Sequence, residues 1–151
     1  MVEEKRNIGK VNNFRLGESI LLGTDATNGK NVSGCSQDTI LLEAEIIELK
    51  EKPSLPVGEK GYDAFGRVPE FTDRGIRKKA ILNIGEQDIN PSGLIPEDKN
   101  AEVLHSSSDH TIVDVTESTE NYEVGSIMKF RMNYGCALKA STSPYVEKIF
   151  K

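Results

Sequence analysis

The sequence predicts a mainly β fold, an antiparallel domain with short helices. Three features predict it: short runs of branched apolar residues, Gly and Pro punctuation between them, and two-residue alternation late in the chain. The clearest alternation runs from Ile127 to Met132. There Met128, Phe130 and Met132 share one side, and Lys129 and Arg131 share the other. Methionines at that spacing read as core. No internal repeat or low-complexity segment is present.

Residues 1–13 are polar and without periodicity, a loose lead-in. Ile20-Leu21-Leu22 is a short apolar run after a glycine and reads as a buried strand. Thr27-Asn28-Gly29-Lys30 contains Asn-Gly, a strong turn signal, and Gly34-Cys35-Ser36 continues that loop. Residues 39–50 admit two readings. Ile40, Ala44 and Ile47 fit a helical face, and the glutamates favour a helix. The segment nevertheless ends in Lys52-Pro53-Ser54-Leu55-Pro56, where proline forces an extended exit.

Residues 58–77 carry Gly58, Gly61, Gly66, Gly75 and Pro69, which is too long for a simple hairpin turn. Long ordered loops are commonly functional. Lys79 to Ile84 reads as a strand. Residues 90–100, with Pro91, Gly93 and Pro96, are a turn-rich excursion. Thr111 to Thr116 is a strand with Val113 and Val115 on one face and Asp114 on the other. Glu123 to Ser126 is a turn, residues 136–143 form a short helix, and Tyr145 to Phe150 alternates and closes the sheet.

A chain of 151 residues, 36% hydrophobic and 28% charged, can bury a core as one globular domain and does not read as disordered. A net charge of -5 argues against a nucleic-acid partner, because phosphate binding needs clustered cations. The one basic cluster, Arg74 with Arg77-Lys78-Lys79, reads as a solvated strand edge or turn. No apolar run can span a bilayer and no signal-peptide pattern follows Met1, so no membrane partner and a cytoplasmic location are expected. Cys35 and Cys136 lack CxxC spacing and read as free thiols.

Several catalytic motifs fail on spacing. Gly23 to Lys30 is Gly-x5-Gly-Lys followed by Asn31, which is not a phosphate loop. His105 and His110 with the cysteines have no zinc spacing, so no metal is expected. There is no Gly-x-Ser-x-Gly elbow.

Two segments carry most of the information: Ile84-Gly85-Glu86-Gln87-Asp88, and Ser106-Ser107-Ser108-Asp109-His110 with the Thr-Ile-Val-Asp-Val-Thr strand behind it. They lie between Phe14-Arg15-Leu16-Gly17-Glu18-Ser19-Ile20-Leu21-Leu22-Gly23 and Val124-Gly125-Ser126-Ile127-Met128. In this order the segments resemble the C-terminal domain of the alanine-racemase-like family of fold type III, pyridoxal phosphate-dependent amino-acid racemases, and within it the ornithine-racemase branch. Lys52-Pro53-Ser54, Asp63-Ala64-Phe65-Gly66, Asp73-Arg74-Gly75-Ile76-Arg77-Lys78, Asn133-Tyr134-Gly135 and Thr142-Ser143-Pro144-Tyr145-Val146-Glu147-Lys148 agree with it. The resemblance covers nearly the whole chain.

The resemblance implies an antiparallel β-barrel-like domain at residues 39–151, with a long strand in the ambiguous 39–50 segment. Residues 1–38 would be the remnant of the end of a (β/α)8 barrel and its linker. A whole barrel needs roughly 200 residues or more and does not fit, so Met1 looks like an internal methionine or the start of a split or truncated frame. The implied cofactor is pyridoxal phosphate, bound mainly by a lysine of the barrel. No lysine here matches that motif, and the isolated chain is expected to be inactive. The implied partners are an amino-acid substrate, the N-terminal barrel domain and, in the complete protein, a second copy in a homodimer.

Racemisation removes the α-proton from one face and returns it to the other, so two proton-handling groups on opposite faces suffice. In alanine racemases the segment resembling Ile84-Gly85-Glu86 carries a catalytic tyrosine at its third position. Here Glu86 stands there. A carboxylate can replace it if its pKa is tuned, or Glu86 can be a plain exposed strand-end residue. Asp88 beside it is an acid that can hold the loop.

Ser107-Ser108-Asp109 resembles the loop whose backbone N–H groups meet the substrate carboxylate, which makes Ser107 and Ser108 substrate-binding candidates. Asp109 matches a retained aspartate and is the second catalytic candidate. The same residues also fit an ordinary Asx or Ser turn. Tyr134 is the candidate contact to the cofactor phosphate, with core packing as the alternative. Asp63 is the substrate-binding candidate for the distal ammonium of an ornithine-like substrate, and Asp73 is its alternative. His110 follows Asp109 and reads as structural or solvent-exposed. Two other functions compete with this reading: a non-catalytic orphan β domain or binding module, and a self-contained hydrolase using Ser107 or Ser108.

Overall fold

The computed structural model describes residues 9–10, 12–13, 15–56, 58, 61–62, 66 and 72–150. The chain divides into two compact units, Met1–Ile40 and Leu41–Lys151.

In the first unit, Ile20-Leu21-Leu22 is helical rather than extended. Helix α1 (Glu18–Leu21) is a single turn. The Gly17 carbonyl accepts from the Ile20 and Leu21 N–H groups, and Leu22 N donates to Glu18 O at 2.7 Å. Three consecutive apolar residues on a helical turn point in three directions. Only Leu22 is buried, and Ile20 remains 62% exposed. The Asn28-Gly29 turn falls where expected, inside an antiparallel bridge between Thr24 and Asn31.

The second unit is built on strands β1 (Leu42–Pro53), β2 (Ile76–Leu82), β3 (Leu94–Pro96), β4 (Glu102–Ser106), β5 (Thr111–Asp114) and β6 (Ile127–Met132), followed by helix α2 (Tyr134–Thr142). All strand pairs are antiparallel, in the order β3-β6-β1-β2-β5-β4. The outer strands β3 and β4 also touch, so the sheet curls into a nearly closed barrel.

β1 settles the ambiguous segment. Leu42, Ala44 and Ile46 are buried while Glu43 and Glu45 are exposed, a period of two. The helix propensity of the glutamates loses to burial of that face. β1 also serves two neighbours. Leu42 to Glu45 pair with β6, and Ile46 to Pro53 pair with β2, with a bulge between Ile46 and Glu48. A bulge bends the strand and raises its twist, which lets one strand turn a barrel corner. The core is filled by Ile46, Leu82, Ile89, Val113, Met128 and Phe130, so β6 alternates as the sequence predicts.

Two expectations are corrected. Residues 144–150 form no strand, and Tyr145 is 78% exposed. The barrel is closed instead by β3, inside the turn-rich excursion, and by β4, which has no clean alternation. Asp114 does lie opposite Val113, but it is 3% exposed because Arg77 from the adjacent strand covers it. Both cysteines are free, with Cys35 exposed and Cys136 buried. Among the described residues no helix is long and apolar enough to cross a membrane.

Candidate active-site edge

The two segments singled out in the sequence meet in space. Residues 84–90 leave the end of β2, and residues 107–110 form the hairpin turn between β4 and β5. Gly85 allows their contact. A Cβ on Gly85 would lie 2.5 Å from the backbone of Asp109 and His110, closer than any side chain tolerates. With no side chain in the way, Glu86 N donates to Ser107 O at 2.8 Å and Gln87 N donates to Ser108 O at 2.9 Å.

The Ser107–His110 turn is arranged to release those carbonyls. Ser107 N donates to His110 O at 2.8 Å. His110 N returns the bond to the Ser107 hydroxyl, at 3.2 Å, and not to the Ser107 carbonyl. The carbonyl is therefore available to Glu86. Below the turn, the buried Thr111 hydroxyl donates to Ile84 O at 2.7 Å and lies 2.8 Å from Ser106 Oγ. Buried polar groups left unpaired are costly, so these bonds fix the register of the two loops.

Glu86, Ser107, Ser108 and Asp109 thus share one edge. Glu86 is half-buried, and Ser107 and Asp109 are exposed. Ser108 Oγ donates to Asp109 Oδ2 at 2.9 Å. The backbone N–H groups of Ser108 and Asp109 donate to nothing among the described residues. Two adjacent N–H groups at a turn, with small side chains around them, can receive a carboxylate. Neither Ser107 nor Ser108 bonds an imidazole among the described residues.

Asp88 is not at the surface. It is 6% exposed and accepts from the Ser143 hydroxyl at 2.5 Å, so it holds the loop. Lys139 on α2 donates its ammonium to the Glu86 carbonyl. Tyr134 opens α2 and is 49% exposed, not core. Asn133 caps that helix, its Oδ1 accepting from Cys136 N at 2.9 Å. Burial pushes the Cys136 thiol up, which keeps it protonated and inert. The sequence held no sign of Lys139. Ser143, in contrast, lay within the recognised Thr-Ser-Pro-Tyr segment.

Asp63 lies outside the described residues. Asp73 is engaged elsewhere: its Oδ1 accepts from Gly75 N at 2.9 Å and from Ser54 Oγ at 3.2 Å, closing the neck of the long loop. Among the described residues no three His, Cys, Asp or Glu side chains gather as a metal site.

The described residues do not form a cradle for pyridoxal phosphate. One concavity is lined by Arg74, Arg77 and Lys79, but each cation is taken. Arg74 pairs with Glu102 at 2.5 Å, Arg77 with Asp114 at 2.7 Å, and Lys79 donates to Pro53 O at 3.0 Å. A second concavity has Ile47, Ile81 and Ile112 with His105, His110 and Glu48. Hydrogen bonds from Lys50 and then Lys52 hold the Glu48 carboxyl down at about 2, so it too is engaged. Tyr134 offers a single exposed hydroxyl, which can contact such a group but cannot hold it.

No family model matches the chain. Over 141 residues, 93% of this chain, the sequence is 55% identical to lysine racemase of Thermotoga maritima, covering 40% of that protein. Over 138 residues, 91% of this chain, it is 53% identical to ornithine racemase of Acetoanaerobium sticklandii, covering 39% of that protein. The chain spans about two fifths of the length of the curated relatives it matches.

Proposed function

We propose, from the premise that this chain belongs to the amino-acid racemase family of lysine and ornithine racemase, that it forms the C-terminal β domain of such an enzyme and supplies one side of its active site. The reaction is the interconversion of the L and D forms of a basic amino acid. The observation that carries the reading is the joined edge, where the Gly85 contact and the two backbone bonds bring Glu86 beside Ser107, Ser108 and Asp109.

On this reading the free N–H groups of Ser108 and Asp109 receive the substrate carboxylate and orient its α-carbon. The Glu86 carboxylate takes or returns the α-proton on one face, and Asp109 holds the turn and the charge beside it. Pyridoxal phosphate, when bound, supplies the electron sink that makes the α-proton acidic. Its holder is the remaining part of the protein, with Tyr134 contributing a contact to the phosphate. Asp63 is the acid assigned to the distal ammonium. The remaining part of the protein, with the barrel, is therefore the partner, and the complete enzyme is a cytoplasmic homodimer.

The test is solvent exchange of the α-proton of L-ornithine and L-lysine in D2O with pyridoxal phosphate, followed by NMR. The chain is assayed alone and with the remaining three fifths of the Thermotoga maritima lysine racemase, made separately. Exchange in the mixture but not in either part supports the reading. A folded chain that neither binds the complementing part nor gains exchange removes it, and favours an orphan β domain.

A further inference from the structure

Among the described residues the Glu86 loop is held by two elements, and only the Ser107–Ser108 turn has a role in the function proposed above. The other element is helix α2. Lys139 Nζ donates to the carbonyl of Glu86 itself. Ser143 Oγ donates to Asp88 Oδ1 at 2.5 Å, in a buried position. The two helix positions are one turn apart, about 6 Å along the axis, and they grip loop residues two apart. A two-point attachment removes the rotation that a single bond would leave.

The grip is itself anchored. At the start of α2, Gly93 packs so tightly on Asn133 that a Cβ there would lie 2.2 Å from Asn133 Oδ1, and Asn133 N donates to Gly93 O at 2.9 Å. Cys136 and Ala140 bury the inner face of the helix. At its end, Ser143 N donates to Lys139 O at 3.1 Å, the Ser143 hydroxyl accepts from Tyr145 N at 3.1 Å, and the Ser143 carbonyl accepts from Lys148. Ser143 therefore cannot shift without moving several partners.

We propose that Lys139 and Ser143 are positioning residues, which together set where Glu86 stands relative to the N–H groups of Ser108 and Asp109. This rests on the racemase reading, which gives α2 no part beyond Tyr134. A solvated lysine in the last turn of a helix would have no such consequence.

Two measurements on the full chain test it. The first is amide hydrogen exchange of Lys139→Met and Ser143→Ala, with Lys139→Arg and Ser143→Thr as conservative controls. Exchange at Glu86 and Gln87 should rise about tenfold in the first pair, stay near wild type in the controls, and stay unchanged in β1 and β6. No local change, or an equal rise across the whole sheet, overturns the clamp.

The second is α-proton exchange in the complemented mixture, where kcat should fall about tenfold with KM held within twofold. A local rise in amide exchange with unchanged kcat overturns the positioning role and leaves the racemase reading standing. A wild-type mixture with no α-proton exchange overturns the racemase reading and the role built on it, while the amide data still decide whether the clamp exists.

Discussion

At Glu86 the resemblance to alanine racemases implies a tyrosine, and on the proposed function the carboxylate that stands there handles the α-proton. Its backbone is fixed by bonds to Ser107 and Lys139, so its side chain starts from a defined point beside the turn. Glu86→Gln keeps the shape and removes the proton acceptor. In the complemented protein α-proton exchange from one enantiomer of ornithine should fall by at least about 100-fold, while circular dichroism and the thermal midpoint of the chain stay unchanged. A loss under threefold would leave Glu86 without a proton-handling role.

Asp114 answers to different physics. Burial pushes its carboxyl up, but hydrogen bonds from Arg77 and Thr116 outweigh that and hold it below the usual carboxylate value. The unfolded chain therefore binds the proton more tightly than the folded one. The stabilisation is fully present above the unfolded value of about 3.9 and is lost as pH falls through the lower folded value. Asp114→Asn should cost about 2 kcal/mol at pH 7 and less at pH 3. Urea denaturation at the two pH values measures the difference. An equal loss at both would mean that the charge is not what stabilises the folded state.

At the scale of elements, the contact between the 84–90 and 107–110 loops rests on the absence of one methyl group. Gly85→Ala places a Cβ 2.5 Å from the opposing backbone, so the loops must part. Overpacking of this kind costs about 1–3 kcal/mol. Exchange protection at Glu86 and Gln87 should drop while β6 keeps its own, because β6 pairs with β1 and β3 far along the sheet. Retained protection would show that the loops can give without separating.

The elements also show what the sequence could and could not convey. β6 was legible because its side chains alternate between core and solvent over a full strand. β3 and β4 were not, because a three-residue strand between prolines and a strand with little buried surface carry no period to read. The 144–150 segment has alternation without burial, which shows that the pattern needs a partner surface before it means strand. α1 failed as a strand because three adjacent apolar residues fit either state. At the site, Glu86 and the Ser107–Asp109 turn were legible as segments of a resemblance. Their hydrogen bonding was not, since Gly85 and Lys139 act through contacts far apart in sequence.

At the scale of the whole molecule, the chain matches about two fifths of its relatives, and its described residues present the candidate site as an edge. The cations lining the Arg74–Arg77–Lys79 concavity are already engaged, and the N–H groups of Ser108 and Asp109 find no acceptor among the described residues. On the proposed function this edge works against an opposing surface that carries the cofactor and a second proton carrier. Two carriers on opposite faces of one carbon leave a signature that a single carrier cannot. Each enantiomer loses its α-proton to its own carrier.

The most direct measurement is therefore α-proton exchange of L- and D-ornithine, followed separately by NMR in D2O, in the complemented protein carrying Glu86→Gln. Loss of exchange from one enantiomer, with exchange retained and unracemised in the other, is the result expected if Glu86 serves one face. Equal, wild-type exchange from both enantiomers would contradict a proton-handling role for this edge.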